Sequence, residues 1–131
     1  MIIMGVNIVT KNFTDIQSLN QLPFNTVGAK FSITAYHPNC GWCGKLIEES
    51  VNKQCDLMGK KNLPCFGINA GTQQGQKVMQ EMGLKSAFPQ SFFCNVTGKD
   101  DKGKPKVDCA VGEGWLPADV YSKALKARGF I

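Results

Sequence analysis

The feature that most constrains this 131-residue chain is a change of hydrophobic period across Pro38. From Lys30 to Tyr36, Phe31, Ile33 and Ala35 alternate with smaller or polar residues, the period of a strand. From Gly41 to Met58, Cys43, Leu46, Ile47, Val51, Cys55 and Met58 recur at steps of three and four, one apolar stripe of a helix that Gly59 is placed to close. Pro38 ends the strand, and only a few residues separate the two patterns. A strand passing straight into an amphipathic helix needs a sheet for that helix to cover, which points to a βα crossover architecture.

The flanking sequence extends this pattern. Met4 to Thr10 reads as a short strand, and Asn12 or Thr14 is placed to cap a helix carrying Phe13, Ile16 and Leu19 until Pro23. Leu63 to Ala70 reads as a further strand; Thr72 caps a helix containing Val78, Met79 and Met82, stopped by Gly83. Gln90 to Val96 and Val107 to Val111 flank a Gly-, Asp- and Lys-rich turn and form a hairpin. Pro117 opens a last helix expected to turn Val120, Tyr121, Ala124 and Leu125 inward. The expected order is β-α-β-α-β-α-β-β-α: an α/β fold with a central mixed sheet flanked by helices, in a single domain over residues 1–131.

Composition narrows the function classes. The charge of +5 comes mainly from lysines, and Arg128 is the only arginine. Asp100 and Asp101 interrupt the densest lysine cluster, so no basic stripe for nucleic acid is expected. No apolar run approaches the ~20 residues that span a bilayer, and Asn7 breaks the apolar start too early for a signal peptide. The expected setting is therefore the reducing cytoplasm, with cysteines acting as thiols, ligands or catalysts. His37, the single histidine, argues against multi-histidine metal sites.

Attention then falls on Cys40-Gly41-Trp42-Cys43, at the handover from strand to helix. Residues i and i+3 in a first helical turn lie ~5–6 Å apart, within reach of a disulfide. Cys40 falls at the helix N-terminus, where unpaired N–H groups and the dipole favour a thiolate, the attacking species in thiol–disulfide exchange. Cys43, on the apolar stripe, is expected to be shielded and to act second. A zinc knuckle needs two more suitably placed ligands, and Cys55, Cys65, Cys94 and Cys109 supply no second C-x-x-C. Cys55 lies fifteen positions after Cys40, ~22 Å along a helix, too far to pair with it, and reads as core. Cys94 and Cys109 sit on opposite arms of the hairpin and are expected to be reduced in cytosol.

With this motif, the glycine-to-proline segment Gly83-Leu84-Lys85-Ser86-Ala87-Phe88-Pro89 entering a strand, and Val111-Gly112 after the hairpin, nearly the whole chain resembles the thioredoxin family. The resemblance implies that Cys40 is the nucleophile and Cys43 the resolving thiol. It implies a cis Pro89, with Trp42, Phe88 and Gly112 flanking a groove for an extended substrate segment. It further implies protein disulfides as substrates, a reductase-like or dithiol electron donor, no metal or organic cofactor, and a monomer bound to neither membrane nor nucleic acid.

The chain departs from the family pattern at several positions. Asn39 stands where the family has tryptophan, and Gly41-Trp42 where it has Gly-Pro; a less reducing potential is expected. Against the family pattern, Thr34 occupies the position of the buried aspartate, and Cys65 is matched to a lysine on the next strand. Cys65 is accordingly a candidate third thiol near Cys43, and His37 a candidate modulator of local charge. The functional expectation is a dithiol–disulfide oxidoreductase that reduces protein disulfides. The alternatives are a glutaredoxin- or isomerase-like exchange enzyme and a non-catalytic binding subunit.

Overall fold

The computed structural model describes residues 11–131, so the strand expected at Met4 to Thr10 lies outside the described residues. A five-stranded mixed sheet runs in the order β1 (Thr14–Asp15), β3 (Cys65–Asn69), β2 (Lys30–Tyr36), β4 (Gln90–Lys99), β5 (Pro105–Glu113). β3 pairs parallel with β1 and β2; β4 and β5 add an antiparallel hairpin with a register shift between Val96 and Gly98.

Side-chain alternation on β2 divides the core. Phe31, Ile33 and Ala35 point to one face, where they pack with Ile68, Phe92 and Val96 and with Val78 and Met79 of α3 (Gln73–Met82). Tyr36 and Phe93 pack on the other face, beneath a long helix and α4 (Ala118–Ala127). The long helix comprises α1 (Gly41–Leu46), a π-helical turn (Ile47–Val51) and α2 (Asn52–Gly59). Its expected stripe is buried throughout: Cys43, Leu46, Ile47, Val51, Cys55 and Met58 are each at most 6% exposed. On α4, Tyr121 and Leu125 are buried and Phe93 meets Tyr121 edge-on at 5.1 Å, whereas Val120, expected inward, is 44% exposed.

Several local expectations change. The helix expected after Asn12 is replaced by the two-residue β1 and one 3₁₀ turn, Leu19–Gln21. Asn12 is held by Asn52 and Asp56 of α2, and Ile16 N–H donates to Gly67 O, so the backbone is committed to the sheet before a helix can start. α2 ends at Gly59 as expected, but without a left-handed glycine cap: the chain stays right-handed through Lys60, and Asn62 (φ 60°) makes the left-handed turn. Thr72 does cap α3, accepting from Gly75 N–H, and Gly83 ends it at φ 68°.

Two disulfides correct the reading of the cysteines. Cys55 joins Cys65, tying α2 to the start of β3, and Cys94 joins Cys109 across the hairpin. Cys55 is therefore both core and cross-link, and the Cys94–Cys109 pair is oxidised rather than reduced. The pairing follows from placement: Cα separations are 5.9 Å and 4.1 Å, and Cys94 and Cys109 are direct register partners.

Candidate functional site

Cys40 is the N-cap of α1, in an extended conformation (φ −98°, ψ 112°). Its Sγ accepts the Cys43 N–H at 3.1 Å and lies 3.8 Å from the Phe88 carbonyl oxygen. The helix start thus presents an N–H to the sulfur, as the sequence position implies. Cys40 is half-buried, whereas Cys43, one turn in, is 1% exposed; these are the two free cysteines. Burial pushes the Cys43 thiol up to about 12, the hydrogen bond and charge of Cys40 add to the rise, and a backbone hydrogen bond with His37 opposes it.

The Phe88–Pro89 bond is cis, as the family resemblance implies. Gln90 fixes the approach to it by donating to the Lys85 and Ala87 carbonyls, and Gly114 N–H donates to the Pro89 carbonyl at 2.8 Å. Among the described residues no acceptor meets the Phe88 N–H. Beside Cys40 this backbone borders a groove of about 350 Å³ lined by Trp42, Phe88, Pro89, Gly114 and Trp115.

The expected site residues divide as follows. Trp42 is 58% exposed and borders the groove, its ring 6.0 Å from Trp115. Lys45 Nζ lies 5.1 Å from the Trp42 ring and 4.6 Å from the Trp115 ring, a cation shared by two indoles. Gly112 does not line the groove. It pairs with Ser91 inside β5 beneath Leu116, and the groove glycine is Gly114, at φ 76°. His37 Nδ1 accepts from Asn39 N–H, its carbonyl accepts from Cys40 N–H, and its ring stands 6.1 Å from Phe88. His37 thus braces the turn that delivers Cys40.

Thr34 is fully buried on the sheet face that carries Cys43, beside the phenol of the buried Tyr121. Its neighbour on β3 is Gly67, not Cys65; Cys65 pairs with Ser32 and is bonded to Cys55. Cys65 is therefore no auxiliary thiol. Two residues of register separate the expected match from the observed one.

Sequence reading missed Trp115. Its position just beyond the Gly112–Gly114 stretch was the available signal, but nothing in the local pattern says that β5 would run on to Glu113 and bring this ring to the groove. Also missed was the Lys11–Asp15–Tyr36 cluster. Tyr36 OH donates to Asp15 at 2.6 Å and Lys11 bridges both; burial and Asp15 push the Tyr36 phenol above its usual range.

This arrangement can be compared with solved structures. A chloroplastic thioredoxin z aligns with 93% of this chain and 98% of its own, at 16% identity and a TM-score of 0.62. The thioredoxin of Malassezia sympodialis aligns over 95% and 96%, at 18% identity and a TM-score of 0.62. The fold is thioredoxin-like. A chain from a structure addressing thiol resolution in yeast mitochondrial 1-Cys peroxiredoxin aligns over 88% of this chain and 95% of that one, at 14% identity and a TM-score of 0.60. No family model and no curated protein matches the sequence. Within the thioredoxin-like frame, Cys40 and Cys43 open the helix that follows the central strand β2, and the cis Pro89 faces them from the start of β4. Among the described residues no cluster suited to a metal ion occurs, and no helix is long and apolar enough to cross a membrane.

Proposed function

We propose that the protein is a thiol–disulfide oxidoreductase that reduces protein disulfides through Cys40 and Cys43. The observation that carries this reading is the asymmetry of the pair: a half-buried Cys40 sulfur receiving the Cys43 N–H, with a buried Cys43 thiol behind it. In the first step the Cys40 thiolate attacks one sulfur of a substrate disulfide; that bond breaks and the other sulfur leaves as a thiolate. In the second, Cys43 loses its proton to water and attacks Cys40 Sγ. The Cys40–Cys43 disulfide forms, the second substrate thiolate leaves, and an external reductase or dithiol returns two electrons to the enzyme.

Two of the influences that raise the Cys43 thiol belong to Cys40. Once Cys40 is held in a mixed disulfide, its charge is gone and Cys43 ionises more readily, at the step where it must attack. An extended substrate segment would lie in the Trp42–Trp115 groove and offer an acceptor to the Phe88 N–H. No metal or organic cofactor has a role in these steps, and the protein is read as a monomer.

The compartment is also a proposal. The cytoplasmic expectation rested on the chain's apolar patterning and implied that the cysteines are free thiols, an implication that four paired cysteines out of six do not meet. The same chemistry now favours a setting in which disulfides persist.

The test is turnover of a protein disulfide with a dithiol donor, followed by trapping with Cys43→Ser. Wild type should turn over, and Cys43→Ser should accumulate mixed disulfides that disappear when Cys40→Ser is added. No turnover together with no Cys40-dependent trapping would refute the proposal.

A further inference from the structure

The Cys94–Cys109 disulfide differs from Cys55–Cys65 in a way that bears on chemistry. Cys55 is 6% exposed and Cys65 half-buried, in the cluster between α2 and the sheet, where the Cys65 sulfur lies 3.6 Å from Met58 Sδ. Cys109 is exposed on the edge strand β5, while its partner Cys94 is 1% exposed and packs in the cluster around Phe31 and Ile33. Val107 and Val111, two residues to either side of Cys109 and on the same face, are 36% and 55% exposed. One sulfur of this bond therefore belongs to a solvent-facing residue in an exposed apolar stripe, and the other is enclosed. The Cys40–Cys43 pair has the same division, but lies on the opposite face of the sheet.

We propose that Cys94–Cys109 is a second dithiol–disulfide centre, exchanging with low-molecular-weight thiols through Cys109. A thiolate RS⁻ attacks Cys109 Sγ and the Cys94–Cys109 bond breaks; RS–S–Cys109 forms, and the Cys94 thiolate leaves and takes a proton from solvent. A second RS⁻ attacks the sulfur of RS–S–Cys109, releasing RSSR and leaving Cys109 as a thiolate that protonates. Two RSH are oxidised to RSSR and one protein disulfide is reduced to two thiols. In the reverse direction the enclosed Cys94 acts as the resolving thiol, attacking Cys109 and expelling RS⁻. The sheet separates this centre from Cys40 and Cys43, so its electrons come from outside the molecule.

The test uses full-length protein carrying Cys40→Ser and Cys43→Ser, which removes the first centre. The folded protein is incubated in glutathione buffers of graded redox ratio, quenched in acid, alkylated and read peptide by peptide by mass spectrometry. Cys94 and Cys109 should become alkylated together in proportion to the glutathione ratio, at least about tenfold faster than Cys55 and Cys65, because access governs the rate. In a further variant, Cys94→Ser, glutathione should remain attached to Cys109. The proposal is overturned if the Cys94–Cys109 bond survives until denaturant is added, if it opens only together with Cys55–Cys65, or if the two residues stay thiols in oxidised glutathione. Because Cys40 and Cys43 are absent, the outcome is independent of whether the first centre turns over.

Discussion

Among the described residues no carboxylate acts on Cys43, and this makes the second half of the reaction unusually dependent on pH. Its thiol is pushed up to about 12, chiefly by burial, and no carboxylate contributes to that shift. At pH 7 a thiol of that strength is ionised in about one molecule in 100,000, against about 3% for an ordinary cysteine near 8.5. In the mixed disulfide the contributions of Cys40 vanish but burial remains, so Cys43 still titrates above the ordinary range. Release of substrate from the mixed disulfide should therefore accelerate about tenfold per pH unit from pH 6 to pH 9, without a plateau. The assay is rapid-quench decay of a preformed mixed disulfide on Cys40, followed across that range. A rate that levels off below pH 8, or an inflection in the carboxylate range, would refute the reasoning, since either requires a base that the site lacks. Thr34→Asp supplies the contrast: a buried carboxylate on the same sheet face should bring an inflection into the profile.

The same thiol links stability to pH. Its folded value of about 12 lies above the unfolded value of about 8.5, so the folded state retains the proton longer. The stabilising contribution is complete below pH 8.5 and is lost as pH rises toward 12. Reduced protein should therefore lose denaturant resistance over that window faster than Cys43→Ala. Trp115→Ala removes one of the two rings beside Lys45 and one wall of the groove; it should raise KM for a protein disulfide several-fold while leaving a small dithiol substrate unchanged. Gly67→Ala places a methyl group against the Asp15 carboxylate and the Phe13 ring, and should destabilise the fold by about 1–3 kcal/mol in urea titration. Gly112→Ala meets only the end of Leu116, a side chain able to turn aside, and should cost less. Against glutathione, the Cys40–Cys43 couple should equilibrate at a potential above the thioredoxin value of about −270 mV, because Gly41-Trp42 replaces Gly-Pro; a value at or below it would reject that reading.

The elements legible in the sequence were those with a strong internal period or a cap. The stripe from Cys43 to Met58, the alternation in β2 and the Thr72 and Gly83 boundaries of α3 all appear where the pattern places them. The segment from Asn12 to Pro23 misled because Phe13, Ile16 and Leu19 have helical spacing, while the hydrogen bonds that settle its structure come from Asn52, Asp56 and Gly67, forty or more residues away. Cys40 and Cys43 are local to one turn, so their geometry could be read directly. Cys65 could not be placed against Thr34 without the register between strands, and a shift of two residues was enough to substitute Gly67. The disulfides were hidden for a related reason: a compartment argument from composition was weighed against contacts that only the fold creates.

The π-helical turn at Ile47–Val51 sets the phase of the whole helix. In a regular α-helix, twelve residues from Cys43 to Cys55 would rotate the second side chain by about 120° relative to the first. A π turn absorbs one extra residue, about 100° of that rotation, and leaves the two nearly eclipsed. Cys43 therefore faces the sheet beneath the site while Cys55, about three turns on, faces the same sheet at β3 and meets Cys65. Removing one residue from this turn would leave a regular α-helix with Cys55 eleven residues after Cys43, about 20° past three full turns, so the Cys55 anchor should stay in phase; winding the same twelve residues as plain α-helix would instead swing everything after the turn aside.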